Sequence, residues 1–427
     1  MPEDSTGRGA LTQRILLAMA AGLVLGLAIN LVRTQDLLSA GLASALDDYL
    51  VAGLFSVVGT IFLASLKLLV VPLVFVSIVC GTASLDDVSK LGRVGGKTLL
   101  LYMLTTATAI TLALGVAVTV QPGAGFDLPT TELEYAAKAA PPLTQTLIDI
   151  FPTNPVKAMA EGNMLQILVF SLLFGLALTL SGEPGTRVLA FFQDLNVVVL
   201  RLVMVLIGLA PYGVFCLIAK VFSEQGFHAI APLAKYFFVV LSVLLLHAAI
   251  SFSLLVKVAA GLDPLTFFRK MRAPVALGFS TASSGATLPV TLETVERRLG
   301  VDKSISSFTL PLGATINMDG TAIMQGVATV FIAQAYGIEI GMSGYLMVVL
   351  TATLASVGTA AVPGVGLVML AMVLRQVNLP VEGIALIIGV DRLLDMVRTA
   401  VNLLGDAAVS CVVAKGEGRL DESVFRG

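Results

Sequence analysis

The 427-residue chain has the composition of a membrane protein, because 57% of its residues are hydrophobic and 13% are charged, whereas about 25% are charged in a soluble domain. Its net charge of −2, in short clusters between apolar runs, argues against a nucleic-acid partner. Cys80, Cys216 and Cys411 are far apart in apolar runs, which favours core residues over a metal site. Likewise, the histidines at 228 and 247 favour core or interface roles over metal binding or proton relay.

Eight apolar stretches are long enough to cross a bilayer, which takes about 20 residues in a helix. They cover residues 11–33, 50–82, 94–120, 163–181, 196–220, 231–260, 305–335 and 383–414. The first stretch follows a polar N-terminus and lacks a suitably placed cleavage site, so we expect an uncleaved helix rather than a signal peptide. The predicted class is an all-α membrane protein with eight transmembrane helices.

Two further apolar stretches, 273–295 and 345–374, are interrupted by Gly, Pro and small polar residues. Lipid cannot satisfy freed backbone N–H and C=O groups, so irregular backbone at this depth must be buried or line a cavity. We therefore predict two re-entrant helical hairpins. The serines around Gly285 favour free amides for a carboxylate, and the bend around Pro363 favours free carbonyls for a cation. Each segment is also compatible with a kinked helix of no function.

Clusters of Lys and Arg at 8–14, 90–97, 269–272, 297–303 and 415–419 predict the orientation. The basic side is cytoplasmic by the positive-inside rule, so both termini are expected in the cytoplasm and the protein in the cell (inner) membrane. The two hairpins then enter from opposite sides. This pattern is typical of inverted repeats, which place a substrate at their midplane interface.

Asp319 is the only formally charged residue of the stretch 305–335. A carboxylate near the bilayer centre costs at least ~2.5 kcal/mol, so it needs a partner or a function. Gly320 behind it, with Asn317 and Thr321 nearby, predicts a locally unwound helix whose oxygens suit a sodium ion. The alternative is an internal hydrogen bond that only fastens helices together.

The last stretch carries five polar residues spaced four, three, four and four apart, which fall on one helical face: Asp391, Asp395, Arg398, Asn402 and Asp406. A structural pairing of Arg398 with Asp395 or Asp391 is possible, but it leaves Asp406 without a cation in its own helix. The stripe therefore indicates external ligands. A guanidinium suits a substrate carboxylate, Asp395 suits an ammonium group, and Asp406 suits a metal ion.

Four motifs occur in order along the chain. They are Ser-Ser-Gly-Ala-Thr-Leu-Pro from Ser283, Asn-Met-Asp-Gly-Thr from Asn317, Gly-Thr-Ala-Ala-Val-Pro-Gly-Val-Gly from Gly358 and Asp-Met-Val-Arg-Thr-Ala-Val-Asn from Asp395. They resemble the glutamate transporter family of dicarboxylate/amino acid:cation symporters, over nearly the whole chain. The resemblance implies a homotrimer in which a static scaffold holds a mobile transport domain that crosses the membrane as a rigid body, like an elevator.

The resemblance also implies the domain boundaries. The scaffold would comprise 1–84 (spans 1 and 2) and 124–222 (spans 4 and 5). The transport domain would comprise 85–123 (span 3) and 223–416 (span 6, hairpin 1, span 7, hairpin 2 and span 8), followed by a cytoplasmic tail at 417–427.

Carried over by motif, Arg398 would bind the side-chain carboxylate of the substrate and Asp395 its amino group. The implied substrate site consists of Ser283, Ser284, Thr321, Val362, Gly366, Asp395, Arg398, Thr399 and Asn402. Three implied sodium sites would bind cotransported ions. The first uses Gly313, Asn317, Asn402 and Asp406. The second uses Thr315, Met318 and the carbonyls of Ser356, Val357 and Thr359. The third uses Asp319, Asn317, Tyr102, Thr105 and Thr106.

Some positions depart from the family pattern. Members commonly have an arginine in the first hairpin tip or next to the eighth-span aspartate, where this chain has Ala282 and Met396. Arg392 is a candidate substitute for that arginine, but one residue after Asp391 it is expected to point off the main stripe. At the position of Gln325, the proton- and potassium-coupled animal members of the family look to have a glutamate. The glutamine therefore favours coupling to sodium alone.

The predicted function is symport of aspartate or glutamate with sodium ions, within membrane lipid. The alternatives are a sodium- or proton-coupled C4-dicarboxylate symporter, which Asp395 argues against, and a neutral amino acid exchanger, which Arg398 argues against. A channel or an intramembrane enzyme is disfavoured, because the ionisable residues converge near one depth and we find no catalytic pair or metal cluster.

Overall fold

The computed structural model describes residues 5–35, 39–83, 91–126, 151–356 and 364–426. Within these ranges the chain is helical, with an isolated β-bridge between Val301 and Leu420 and no strand. Among the described residues, five helical stretches are long and apolar enough to cross a membrane: Gln13–Thr34, Gly41–Cys80, Arg93–Val120, Glu183–Ile207 and Ile230–Ala259. These features agree with the predicted all-α membrane class.

The longer helices of the first half are α1 (Ser5–Thr34), α2 (Ser56–Ala83), α3 (Gly96–Val120), α4 (Met164–Leu180), α5 (Glu183–Ile207), α6 (Ala210–Gln225) and α7 (Ile230–Leu246). The stretch predicted as one span at 196–220 is divided between α5 and α6. The division follows from sequence, since Gly208 and Leu209 form a turn and Pro211 occupies the first turn of α6. α5 begins at Glu183, earlier than the predicted span, because the charged residues of its first turns interrupt the apolar pattern.

The longer helices of the second half are α8 (Arg272–Thr281), α9 (Ser284–Arg297), α10 (Lys303–Ile316), α11 (Asp319–Ala335), α12 (Gly341–Ser356), α13 (Val365–Gln376) and α14 (Ile384–Gly416). Both stretches predicted to be broken are helix pairs. Between α8 and α9, Ala282 has a left-handed φ of 49° and the Ser283 side chain caps α9. Between α12 and α13 lie residues 357–363, outside the described part of the chain.

The predicted interruption near Asp319 is present, but at a different position from the one expected. Asn317 and Met318 are non-helical, and α11 starts at Asp319. Gly320 is helical and serves a different purpose, because a Cβ there would lie 2.7 Å from the backbone oxygen of Arg398. The glycine thus allows α11 to approach α14 closely.

α14 organises the second half of the molecule. It is 33 residues long, mostly buried, and packs against α7, α8, α10 and α11. All five members of its polar stripe are buried. Since the stripe faces protein on several sides, its charges must find partners within the structure or in a ligand.

The segment 417–426, expected as a cytoplasmic tail, is docked on the second half of the chain. The N–H of Asp302 donates to the Arg419 carbonyl at 3.0 Å, and the Phe425 ring is buried beneath the ammonium of Lys270. Glu417 accepts from Lys97 at 2.6 Å, and this hydrogen bond lowers the pKa of Glu417. The tail therefore connects the start of α3 to the end of α14.

Candidate functional site

Four charged side chains of α14 form one network, here called the charge quartet: Asp391, Arg392, Asp395 and Arg398. The guanidinium of Arg398 is 2.7 Å from Asp391 and 2.9 Å from Asp395. Only 1% of the Arg398 side chain is exposed, and its Nε has no hydrogen-bond partner among the described residues. The internal pairing that the sequence left open is therefore formed in this structure, and Arg398 uses both acids at once.

Arg392 does not point off the stripe as expected. Its Nη1 lies 3.5 Å from the second carboxylate oxygen of Asp395. Residues three apart are neighbours on a helix, and the long arginine side chain reaches back across that distance. The quartet consequently has two positive and two negative charges and is neutral as a unit.

A cavity of about 60 Å³ adjoins the quartet, so the charges do not form a closed helix contact. Its polar wall is formed by Asp391, Arg392 and Asp395, and its apolar wall by side chains of α1, α2, α5 and α6. Gly364, at the start of α13, also borders it, and the Gly364 N–H lies 3.4 Å from Asp395. The cavity thus lies between the early helices and the second helix pair.

Other residues predicted for the substrate site are distributed around Arg398. A Cβ on Gly366 would lie 3.3 Å from the guanidinium, so the backbone of α13 is adjacent to it. Asn402 accepts from the Gly320 N–H at 2.7 Å, which joins α14 to the start of α11. Thr399 donates to the Asp395 carbonyl. Val362 lies outside the described residues.

The remaining three substrate-site predictions are buried positions on neighbouring helices. Ser283 and Ser284 lie at the start of α9, and Thr321 lies in the first turn of α11. The Ser283 hydroxyl accepts from the Ala286 N–H at 3.3 Å, as an N-cap. The start of α9 thereby holds its serine backbone in a defined conformation.

Most of the third predicted sodium set comes together around Asp319. Thr106 donates to one carboxylate oxygen at 2.7 Å, and Thr105 lies 3.4 Å from the same oxygen. Thr105 is also 3.3 Å from the side-chain oxygen of Asn317. The Tyr102 hydroxyl donates to the Thr309 carbonyl at 2.9 Å. These are hydroxyl, amide and carboxylate oxygens, which hard cations prefer.

The first predicted sodium set adjoins this region through Asn317. Its side-chain amide donates to Asp406 at 2.9 Å, while its oxygen faces Thr105. A Cβ on Gly313 would lie 2.5 Å from the Asp406 carboxylate, so this glycine leaves the carboxylate room that a side chain would occupy. Asn317 therefore contacts Asp406 directly and is linked to Asp319 through the Thr105 hydroxyl.

The second predicted sodium set is only partly described. Thr315 donates to the Leu312 carbonyl at 2.9 Å, and Met318 accepts from Asn402 at 3.3 Å. Ser356 is the last residue of α12. Val357 and Thr359 lie outside the described residues, so the structure brings no complete set together here.

His247 is the residue of this region that sequence reasoning missed. Its Nε2 lies 3.2 Å from Asp319, and both side chains are fully buried. The signal was present, because a lone ionisable residue within a membrane span is a functional candidate by default.

Comparison with known proteins identifies the family. The model of the sodium:dicarboxylate symporter family matches residues 11–416. The chain belongs to this family. It is therefore a membrane symporter and not an enzyme.

Relatives in the family differ in the substrates their names give. The chain is 37% identical to the proton/glutamate-aspartate symporter of Escherichia coli K12, over 96% of this chain and 94% of that protein. It is 36% identical to the proton/sodium-glutamate symport protein of Bacillus caldotenax, over 87% and 90%. It is also 36% identical to C4-dicarboxylate transport protein 2 of Mesorhizobium japonicum, over 86% and 84%.

Proposed function

We propose that this protein carries aspartate or glutamate into the cell together with sodium ions. The observation that carries the proposal is the position of Arg398 and Asp395, paired on α14 beside a cavity. An acidic amino acid has one group for each of them. Its side-chain carboxylate replaces the acids at the guanidinium, and its ammonium replaces the guanidinium at Asp395.

The sodium part of the proposal is supported by the two acids around Asn317. In the described part of the chain, neither Asp319 nor Asp406 forms an ion pair with Lys or Arg. Two buried carboxylates that are linked through Asn317 and Thr105 need positive charge, and the surrounding oxygens suit sodium. The loaded ion offsets the cost of burying the acids.

Asn402 provides a route by which cations affect substrate binding. It contacts Met318 and Gly320, which flank Asp319, and it lies one turn from Arg398. Ion binding at Asp319 orders this segment of backbone, and the ordered segment in turn fixes Asn402. Substrate and sodium thus bind cooperatively, as symport requires.

We further propose an elevator mechanism in a homotrimer, with the scaffold and transport domain bounded as the family resemblance implies. The cavity supports this division, since α1, α2, α5 and α6 line one side and α13 and α14 the other. The two helix pairs enter from opposite sides as re-entrant hairpins, the termini are cytoplasmic, and the protein lies in the inner membrane. Cysteines at Ile207 and Leu367, joined by a cross-linker, should permit substrate binding and stop transport. Transport by the fully cross-linked protein would contradict relative motion.

Uptake into liposomes tests the substrate and the coupling ion together. Labelled aspartate, glutamate and succinate are offered at constant pH, with external sodium, potassium or choline. We expect aspartate or glutamate to accumulate only with a sodium gradient. Uptake that survives without sodium under a proton gradient would favour proton coupling, and preferred uptake of succinate would favour the dicarboxylate alternative.

A further inference from the structure

His247 holds a fixed place against Asp319. Its Nε2 is 3.2 Å from one carboxylate oxygen, while Thr106 donates to the other oxygen at 2.7 Å. The ring is fully buried and packs edge-on against Phe252, with centroids 4.7 Å apart. The two oxygens of Asp319 therefore contact two different helices, α3 and the extension of α7.

The chemistry of the pair decides which ring nitrogen carries the hydrogen. An ionised carboxylate only accepts hydrogen bonds, so Nε2 must donate. Nδ1 is buried and has no partner among the described residues. The ring therefore offers a single directed hydrogen bond, and that bond goes to Asp319.

The backbone around the histidine departs from a regular α-helix, as it also does at Leu46–Phe55, Leu91–Gly95 and Leu255–Ala259. Residues His247–Phe252 form a π-helical turn at the end of α7. Such turns are rare in α-helices and are frequently found at functional sites. In this chain the turn lies where the imidazole meets the buried carboxylate of α11.

We propose that His247 is a positioning residue for cation binding. By holding one oxygen of Asp319, it orients the other oxygen toward Thr105, Thr106 and Asn317, where the ion would bind. The inference rests on the proposed sodium symport. It adds a residue that contacts the carboxylate of Asp319 and does not contact the ion itself. Its loss should weaken sodium binding and leave substrate binding at saturating sodium nearly unchanged.

The test compares His247→Phe, His247→Gln and His228→Phe in the full-length protein. Phenylalanine fills the site without a donor, whereas glutamine can place an N–H near the position of Nε2. His228 is the exposed histidine and serves as the matched control. Sodium affinity is measured by the rise of Tm in detergent on titration with sodium chloride, with choline keeping the ionic strength constant. Uptake of aspartate then gives the sodium half-saturation and the maximal rate separately.

We expect His247→Phe to raise the sodium concentration for half-maximal uptake about tenfold or more. This is the effect expected from the loss of one hydrogen bond to a charged group. His247→Gln should stay within about threefold of wild type, and His228→Phe should not differ from it. If the phenylalanine variant does not fold, His247→Asn, too short to reach Asp319, should show the same loss. Wild-type sodium affinity in the Phe or Asn variant would overturn the inference, as would an equally large loss in His247→Gln. A wild-type protein without any sodium response would instead overturn the proposed coupling, and the inference with it.

Discussion

Replacing Arg398 by glutamine separates a binding role from a structural one. Removing one partner of a buried ion pair costs about 3–5 kcal/mol, because the other charge is left uncompensated. Here Asp395 keeps its contact with Arg392, so Asp391 is the acid left alone. We therefore expect Arg398→Gln to lower the free energy of unfolding by about 3 kcal/mol, the lower end of that range.

A second substitution should restore stability without restoring transport. Arg398→Gln with Asp391→Asn returns the quartet to neutrality, since one positive and one negative charge have been removed. Most of the lost stability should return. Affinity for aspartate should remain weaker by about 2–5 kcal/mol, a factor of roughly 30 or more, because the substrate carboxylate has lost its charged donor.

Two measurements on the same preparations separate the effect on stability from the effect on substrate affinity. Thermal unfolding in detergent reports stability, and aspartate uptake into liposomes over a range of concentrations reports affinity. Recovery of both properties in the double variant would refute the assignment of Arg398 to the substrate. The same holds if Arg398→Gln alone binds aspartate with unchanged affinity.

Three further predictions follow from the geometry. Gly313→Ala places a methyl group 2.5 Å from the Asp406 carboxylate and should raise the sodium concentration for half-maximal uptake about tenfold. Gly115→Ala is the control, because the space around Gly115 is open, and it should leave this concentration unchanged. Arg392→Gln removes the cation that competes with the substrate ammonium at Asp395, so competition assays should show tighter aspartate binding and weaker succinate binding. The lysine hydrogen bond lowers the pKa of Glu417, so its stabilisation of the docked tail is present above the ordinary value of 4.5 and lost as the pH falls through the lowered one. A spin label next to Glu417 should gain mobility there, and Glu417→Gln should already show this gain at neutral pH.

The polar stripe of α14 could be predicted from sequence because its members lie on one helix, where spacing alone determines their direction. The two broken stretches were predictable for a similar reason, since Gly, Pro and Ser act locally on the backbone. The approach of His247 to Asp319 could not be predicted this way, because it depends on how two different helices pack. The contact of Arg392 with Asp395 also escaped, since a long flexible side chain is not bound to the direction of its Cβ.

Gly320 was identified from the sequence, but its structural role was predicted incorrectly. A glycine beside a buried aspartate suggested local unwinding, but unwinding and close helix approach use the same residue type. Only the distance to the Arg398 backbone distinguishes the two. The predicted chemistry around Asp319 does not depend on this point, because the interruption still lies next to the carboxylate.

The docking of residues 417–426 has a practical consequence for experiments on this protein. Arg419 and Asp421, just before the last helix Glu422–Arg426, form backbone hydrogen bonds with the loop before α10, and Glu417 pairs with Lys97 at the beginning of α3. A fluorophore fused at the C-terminus would be carried by whichever body contains these three elements. Under the proposed elevator mechanism, the distance between this fluorophore and a dye on α5 would change with each crossing, without any label near the charge quartet.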